Sequence, residues 1–262
     1  MHPLVSIIIP VYNGALTVAR SIKSVARQTY QNIELFVIND GSTDDSECRI
    51  QNSELRTINY LKQENQGVVV ARNNAFNHAK GKYIVFLDCG DELEKNYVSE
   101  CVNVLENEHN IHWVYSVTLQ ISDKDGDFNR FWSFHEFDIY DNFSRAVQLV
   151  TSMMRRELFE DLGGFDPDFQ HGYEDWAFWV KACRLGYKGK LLKKVLFFYF
   201  KESQSRSNNL HQNMQYEYES KKLIISKNQE CYNVIDTHLD KLLKDNLRIP
   251  LQCVNMKFRP LE

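Results

Sequence analysis

The first half of the chain alternates between short apolar runs and amphipathic stretches. Apolar runs such as VSIIIPV at residues 5–11 and YIVF at residues 83–86 are rich in β-branched or bulky residues, which is typical of strands buried on both faces of a sheet. Between such runs, Val18, Ile22 and Val25 recur at helical spacing. Strands that alternate with helices predict βαβ units, so we expect an α/β fold with a mostly parallel, Rossmann-like sheet flanked by helices.

The pattern changes after about Ile111. Strand-like runs then lie closer together, and the segment DKDGD predicts a hairpin-like turn. Residues 173–187 carry tryptophans at helical spacing, with Gly186 as the stop signal. Polar helical segments are predicted between Leu210 and Leu247. We therefore expect a domain at residues 1–205 and a helical C-terminal extension at residues 206–262.

Composition excludes several classes of protein. The chain has 262 residues, 43% of them hydrophobic and 25% charged, which is ordinary for a globular protein. A net charge of -4 provides no excess of lysine and arginine to neutralise phosphates, so we expect no nucleic acid partner. Six scattered cysteines without a CxxC pair indicate reduced thiols rather than disulfides or zinc. No signal peptide or bilayer-length apolar run is apparent, so we expect a cytoplasmic protein, either soluble or peripheral at the inner membrane face.

Polar and aromatic residues stand where the predicted strands end. Tyr12 and Asn13 follow the predicted strand at residues 5–11, Asp40 ends a further predicted strand at residues 32–40, and Asp88 and Asp91 follow the one at residues 83–86. Ligands of open α/β sheets bind beyond the carboxyl ends of strands. Tyr12 can stack on a base or pack as a turn residue. Asp40 can accept a hydrogen bond from a base N–H, or it can be a capping or turn residue. Ser42 or Thr43 is the predicted cap of the short helix that follows.

Two pairs of acidic residues and one arginine carry candidate chemistry. Asp88 and Asp91 provide the oxygens that Mg²⁺ and Mn²⁺ prefer, although a plain turn also explains one aspartate and the glycine. Arg72, in a helix predicted to start near Gly67, either faces the pocket and pairs with phosphate oxygens or forms a surface salt bridge. Glu174 and Asp175 begin a predicted helix, whose dipole favours their ionised form. An ionised carboxylate can act as a general base, or it can be a helix-start acid without chemistry.

The order of these clusters resembles that of family 2 glycosyltransferases, which have the GT-A fold. The resemblance covers about residues 4–200 and rests on four segments, at residues 5–14, 34–46, 65–93 and 163–187. It implies an inverting transfer of a sugar from a nucleotide-diphosphate sugar, with UDP as the favoured nucleotide. It also implies a divalent cofactor, Mn²⁺ or Mg²⁺, at a D-x-D type motif. The implied acceptor is a glycan or a lipid-linked saccharide in surface polysaccharide synthesis.

The resemblance also implies roles for individual residues. Asp175 corresponds to the catalytic base, with Glu174 beside it. Asp88 and Asp91 correspond to the metal site, and residues 203–207 to a segment that closes over the donor. Gly90 departs from the commoner D-x-D-D pattern, so either Asp91 takes the metal with help from water or metal binding is weakened. The implied donor-binding residues are Pro10, Tyr12, Asn13, Asp40, Arg72 and Asp88.

Two other functions remain open on the sequence. A non-catalytic nucleotide-sugar-binding partner subunit would explain Gly90, but it needs no Glu174–Asp175 pair. A nucleotidyltransferase normally has a glycine-rich, basic loop after the first strand, and residues 10–20 are poor in both features. The end of the chain mixes basic and apolar residues, which is compatible with contact to a membrane surface or to another subunit, including a second copy in a homo-oligomer, or with a packed tail; the basic residues are Arg248, Lys257 and Arg259.

Overall fold

The computed structural model describes most of the first 201 residues and one later helix. The described residues are 2–53, 57–122, 130–132, 136–144, 146, 148–169, 172–201, 214–230 and 232. The predicted hairpin turn, the predicted closing segment at residues 203–207 and the basic C-terminal residues lie outside this part of the chain.

Strands and helices alternate through the first half of the chain, as predicted. In chain order the elements are β1 (Val5–Val11), α1 (Val18–Ala26), β2 (Ile33–Asp40), α2 (Ser46–Gln51), β3 (Ile58–Gln63), α3 (Val68–Phe76), β4 (Tyr83–Phe86), β5 (Glu92–Leu93), α4 (Tyr97–Asn107), β6 (Trp113–Ser122), β7 (Arg130–Trp132), α5 (Ile139–Ser144), β8 (Met153–Arg155), α6 (Arg156–Asp161), α7 (Glu174–Arg184), β9 (Gly189–Lys201) and α8 (Met214–Lys227).

All of these strands belong to one sheet with two different halves. The order is β3-β2-β1-β4-β8-β6-β9-β5, and β7 pairs with β6. The strands β3, β2, β1 and β4 are parallel, which confirms the predicted βαβ units. In the other half β8 runs antiparallel to both β4 and β6, while β9 is parallel to β6 and antiparallel to β5. The sheet is therefore mixed as a whole. The sequence did not reveal the antiparallel strands, because an apolar run reports burial and not strand direction.

Both faces of the sheet are covered, so the strands are apolar on both sides. Ile7 and Ile9 point to the face that α1 and α4 cover, whereas Ile8 points to the face that α3, α6 and α7 cover. On the second face, Trp179 of α7 packs against Trp113 of β6 with ring centroids 5.0 Å apart. This packing fixes α7, and with it the acidic first turn of that helix.

The described part of the C-terminal extension packs on the main domain. Ile224 of α8 is fully buried in the same core cluster as α7, and Lys227 donates to Asp168 at 2.6 Å. Tyr232 donates its hydroxyl hydrogen bond to the carbonyl of Phe143 at 3.0 Å. The domain boundary near residue 205 stays a prediction. Within the described residues, none of the helices combines the length and the apolar character needed to cross a bilayer.

Candidate active site

The loops after β1 and β2 are joined by hydrogen bonds at the carboxyl edge of the sheet. The backbone N–H of Asn13 donates to Ser42 Oγ at 3.0 Å, and Asn13 Oδ1 accepts from the N–H of Thr43 at 2.8 Å. Helix α2 begins at Ser46 with Asp45 as its N-cap, so the predicted caps Ser42 and Thr43 do not cap it and instead bond the first loop. Pro10 is buried within β1, while Tyr12 is 54% exposed. Tyr12 therefore keeps an open ring for stacking, and Asn13 holds the two loops together.

Asp40 lies at the end of β2 and is almost fully buried. Its Oδ1 accepts hydrogen bonds from Gln63 Nε2 at 2.7 Å and from the N–H of Gln66 at 2.9 Å. Its Oδ2 accepts from the N–H of Gly67 at 2.9 Å, directly before α3. Asp40 thus fixes the loop that leads into α3, and the base contact stays a prediction.

The loop after β4 is held by α1. Gly90 has a φ of +103°, and its N–H donates to Ser21 Oγ at 2.8 Å. Ser21 Oγ in turn donates to the carbonyl of Asp91 at 2.8 Å. A Cβ placed on Gly14 would lie 2.5 Å from Cys89 Sγ, so the loops after β1 and β4 touch. The position of the predicted metal motif therefore depends on α1 and on the first loop.

The two aspartates of this motif have different surroundings. The side chain of Asp88 is 43% exposed. Asp91 is only 5% exposed, and its Oδ1 accepts from the N–H of Phe200 in β9 at 2.9 Å. Gly90, with its positive φ, lies between the two residues, and of the pair only Asp88 has a partly exposed carboxylate. Asp91 fastens the loop to β9, and its metal role stays a prediction that this contact does not favour.

Arg72 does not face an open pocket, contrary to the sequence-based expectation. Only 2% of its surface is exposed. One arm of the guanidinium donates to Glu174 Oε1 at 2.7 Å and the other donates to Asp88 Oδ1 at 2.5 Å. The guanidinium carbon also lies 5.5 Å from the ring centroid of Phe165. Helical phase turns Arg72 inward with the apolar side of α3, and the two carboxylates compensate its buried charge.

The acidic pair begins α7, as predicted. Glu174 is 5% exposed and accepts from Arg72. Asp175 is half-buried, and its Oδ1 accepts from the N–H of Trp176 at 2.8 Å. Burial and the adjacent Glu174 charge raise the pKa of Asp175 to about 7, although Arg72 opposes this shift. A carboxyl whose pKa is raised toward neutral pH suits a general base, since catalytic pKa values work best near the operating pH.

Two features of this region had no local signal in the sequence. Tyr173, directly before the acidic pair, has a φ of +64°, an uncommon conformation for a residue other than glycine. Burial and the Glu217 carboxylate on α8 raise the pKa of the Tyr173 hydroxyl to about 12. The C-terminal helix α8 thus contributes a charge beside the acidic pair. Its contribution depends on tertiary packing between segments more than forty positions apart.

The residues present fit a divalent ion only in a limited way. Within the described part of the chain, no group of three His, Cys, Asp or Glu side chains is arranged to hold a metal. Asp88 keeps an exposed edge, Gly90 has no side chain, and Asp91 is turned to β9. Mg²⁺ and its relatives are often bound through one or two carboxylates plus substrate phosphates. The site therefore fits an ion that arrives with a diphosphate, and does not fit one held by the protein alone.

Comparisons with known proteins find similar sequences over more than half of the chain. The model of the family described as "Glycosyl transferase family 2" matches residues 6–163, which is more than half of the chain. An uncharacterized glycosyltransferase of Rickettsia prowazekii, RP339, is 32% identical over 191 residues, which is 70% of this chain and 59% of that protein. Glycosyltransferase GlyG of Streptococcus pneumoniae is 28% identical over 204 residues, which is 75% of this chain and 59% of that protein.

Solved structures share the fold at low sequence identity. The structure of residues 1–349 of S. aureus TarS in complex with UDP-GlcNAc has a TM-score of 0.70 and 19% identity, over 85% of this chain and 66% of that one. The mannosyltransferase PcManGT of Pyrobaculum calidifontis, in complex with GDP-Man and Mn²⁺, has a TM-score of 0.62 and 20% identity, over 79% of this chain and 60% of that one. This chain spans less than two thirds of the length of the curated relatives described above.

Proposed function

This chain belongs to glycosyltransferase family 2, and we propose that it transfers a sugar, with inversion, from a UDP-sugar to a hydroxyl of a glycan or lipid-linked acceptor. One observation carries the proposal. Arg72 bonds both Asp88, at the end of β4, and Glu174, in the first turn of α7. The donor side and the base side of the site are therefore joined through a single guanidinium. The same juxtaposition supports an enzyme rather than a protein that only binds the donor.

Asp175 is the proposed general base. Its carboxyl is half-buried, and burial together with the Glu174 charge raises its pKa to about 7. In the ionised form it takes the proton of the acceptor hydroxyl while the hydroxyl oxygen attacks the anomeric carbon. The new bond forms on the face opposite the departing nucleotide diphosphate, and the bond between the anomeric carbon and the diphosphate oxygen breaks. This geometry gives inversion, and base catalysis of this kind contributes roughly 10²- to 10⁴-fold.

The donor half of the site lies at the ends of the parallel strands. We propose that the exposed ring of Tyr12 stacks on the base, with Pro10, Asn13 and Asp40 shaping its pocket. We also propose that Asp88, which is partly exposed, contacts the ribose or a divalent ion. A bound Mn²⁺ or Mg²⁺ would offset negative charge on the departing diphosphate. Two structural neighbours support a nucleotide-sugar donor, since they were solved with UDP-GlcNAc and with GDP-Man and Mn²⁺.

A thermal-shift screen tests the proposed donor. UDP-sugars, GDP-sugars and free UDP are added to the protein with and without Mn²⁺, because a ligand that binds only the folded state raises the melting temperature. We expect UDP-sugars with Mn²⁺ to give the largest shift. Release of UDP is then followed with and without saccharide acceptors. A chain that binds no nucleotide sugar under any of these conditions contradicts the proposal.

A non-catalytic nucleotide-sugar-binding subunit is the second candidate, and Gly90 is the observation that favours it. With glycine at this position and Asp91 turned to β9, only Asp88 of the motif keeps an exposed carboxylate. The two functions differ in the UDP-release assay. A binding subunit would show a donor-dependent thermal shift without releasing UDP, whereas an enzyme would show both.

A further inference from the structure

The buried guanidinium of Arg72 contacts carboxylates from two distant parts of the chain. Asp88 lies 16 positions later, in the loop after β4, and Glu174 lies 102 positions later, on α7. Both arms are engaged, and among the described residues Nε has no hydrogen-bond partner. With 2% exposure, this guanidinium has no open face toward a diphosphate. In this structure the guanidinium is therefore not positioned to bind a phosphate directly.

Net stabilisation of the fold is a weak explanation for this contact. Taking a guanidinium and a carboxylate out of water costs about as much as their mutual attraction returns, and apolar residues often replace buried ion pairs without loss of stability. Arginine differs from an apolar residue in its geometry. Its planar fork fixes the direction of both hydrogen bonds, so that two carboxylates on separate elements are held at a set spacing and orientation.

We propose that Arg72 is a positioning residue that sets the placement of Asp88 relative to Glu174, and so couples the donor side of the site to the base side. This inference rests on the proposed function. Asp88 is half-exposed and lies at the donor side, whereas Glu174 is buried and directly precedes the base. A change at either carboxylate is transmitted through the shared guanidinium, because each arm constrains the direction of the other.

The charges around Asp175 give the inference a second readout. Asp175 faces Glu174 on α7, Arg72 on α3 and Asp88 at the end of β4, and its neighbour Tyr173 meets Glu217 on α8. Arg72 is the cation among these groups that lowers the pKa of Asp175. Removal of its charge therefore raises that pKa, and the ionised form of the base appears at higher pH.

Double-mutant cycles on the transfer rate test the coupling. The first cycle uses Arg72→Met, Asp88→Asn and the double variant, and the second uses Arg72→Met, Glu174→Gln and the double variant. Residues in one hydrogen-bond network are non-additive, so we expect each double variant to depart from the product of the single effects by about tenfold. Arg72→Lys keeps the charge without the fork, and should restore the pH profile but only part of the rate.

Arg155→Met is the matched control. Arg155 is half-buried and donates to the carbonyls of Ile111 and Leu105, at 2.8 and 2.6 Å, with no contact to the acidic residues of the site. It should lower the melting temperature while leaving the pH profile and the Asp88→Asn effect unchanged. If the wild-type protein transfers sugar but the effects are multiplicative in both cycles, the positioning role of Arg72 is overturned while the proposed function stands. A folded wild-type protein that releases no UDP from any donor overturns this role and the proposed function together.

Discussion

The two halves of the sheet assemble their parts of the site in different ways. In the parallel half, β3-β2-β1-β4, the candidate donor residues other than Arg72 lie at or near strand ends, and neighbouring loops bond one another. In the mixed half, the acidic pair on α7 reaches the site because α7 packs on the sheet, and Glu174 meets Arg72 across 102 positions. The donor half is therefore built from local chain order, whereas the base half depends on long-range packing.

The largest expected effect separates catalysis in the base half from binding in the donor half. Asp175→Asn removes the proton acceptor, so we expect the transfer rate to fall about 10²- to 10⁴-fold while UDP affinity is retained. UDP release and calorimetric titration with UDP measure the two quantities. Asp161→Asn, a change on α6 at a carboxylate that bonds Tyr187, is the control and should alter neither. Wild-type transfer by Asp175→Asn would reject Asp175 as the base.

The next prediction concerns the donor half. Asp88→Asn weakens contacts to a ribose hydroxyl or to a divalent ion, and a lost charge-assisted hydrogen bond corresponds to about 10- to 100-fold in affinity. We expect UDP affinity in the presence of Mn²⁺ to fall by this factor, with a smaller loss in its absence. The measurement is a UDP titration with and without the ion. An equal loss in both conditions would show that Asp88 does not act through a metal.

The pH dependence of transfer should follow the ionisation of Asp175. Its pKa is raised to about 7, so the base is protonated below that pH and ionised above it. We expect the rate at saturating donor to fall about tenfold for each pH unit below 7 and to level off above it. A rate profile between pH 5 and 9 measures this. A rate that stays constant down to pH 5 would place the base elsewhere.

The smallest effect is expected at Asp91, where the two halves are fastened together. Asp91→Ala removes the acceptor for the Phe200 N–H, and we expect the free energy of unfolding to fall by about 1–3 kcal/mol. Urea unfolding measures the loss. The Mn²⁺-dependent part of UDP binding should survive in the folded variant. If this part disappears while the fold is kept, Asp91 is a metal ligand after all and the contact to β9 does not decide its role.

The difference between the halves also explains what the sequence can and cannot predict. Apolar periodicity predicted the elements of the parallel half and the acidic start of α7, because those features depend on residues that are close together in the chain. The sequence did not predict the burial of Arg72, because its inward orientation depends on the helical phase of α3 and on partners 16 and 102 positions away. The family resemblance assigned Asp88 and Asp91 to one metal site, and that assignment stays a prediction, since the sequence does not show how the positive φ of Gly90 directs the chain between them.

Strand direction was the other limit of the sequence. Strand β8 pairs with β6 in the antiparallel direction, whereas β9 pairs with β6 in the parallel direction. Neither strand has a local sequence feature that reports its direction. The contact of Glu217 with Tyr173 was equally hidden, since α8 was expected to form a separate extension. Direction and docking of this kind follow from the whole packed sheet, and a single sequence reports them only through a family resemblance.

Because Gly14 and Cys89 are in contact, the side chain at one of these positions limits which residues the other loop can carry. An alanine at position 14 would place its methyl carbon 2.5 Å from the Cys89 sulfur, so such a change requires the second loop to give way. Replacing Cys89 by glycine would remove the obstacle. Relatives with a side chain at position 14 should therefore carry a smaller residue at position 89, and redesign of the proposed nucleotide pocket must alter the two positions as a pair.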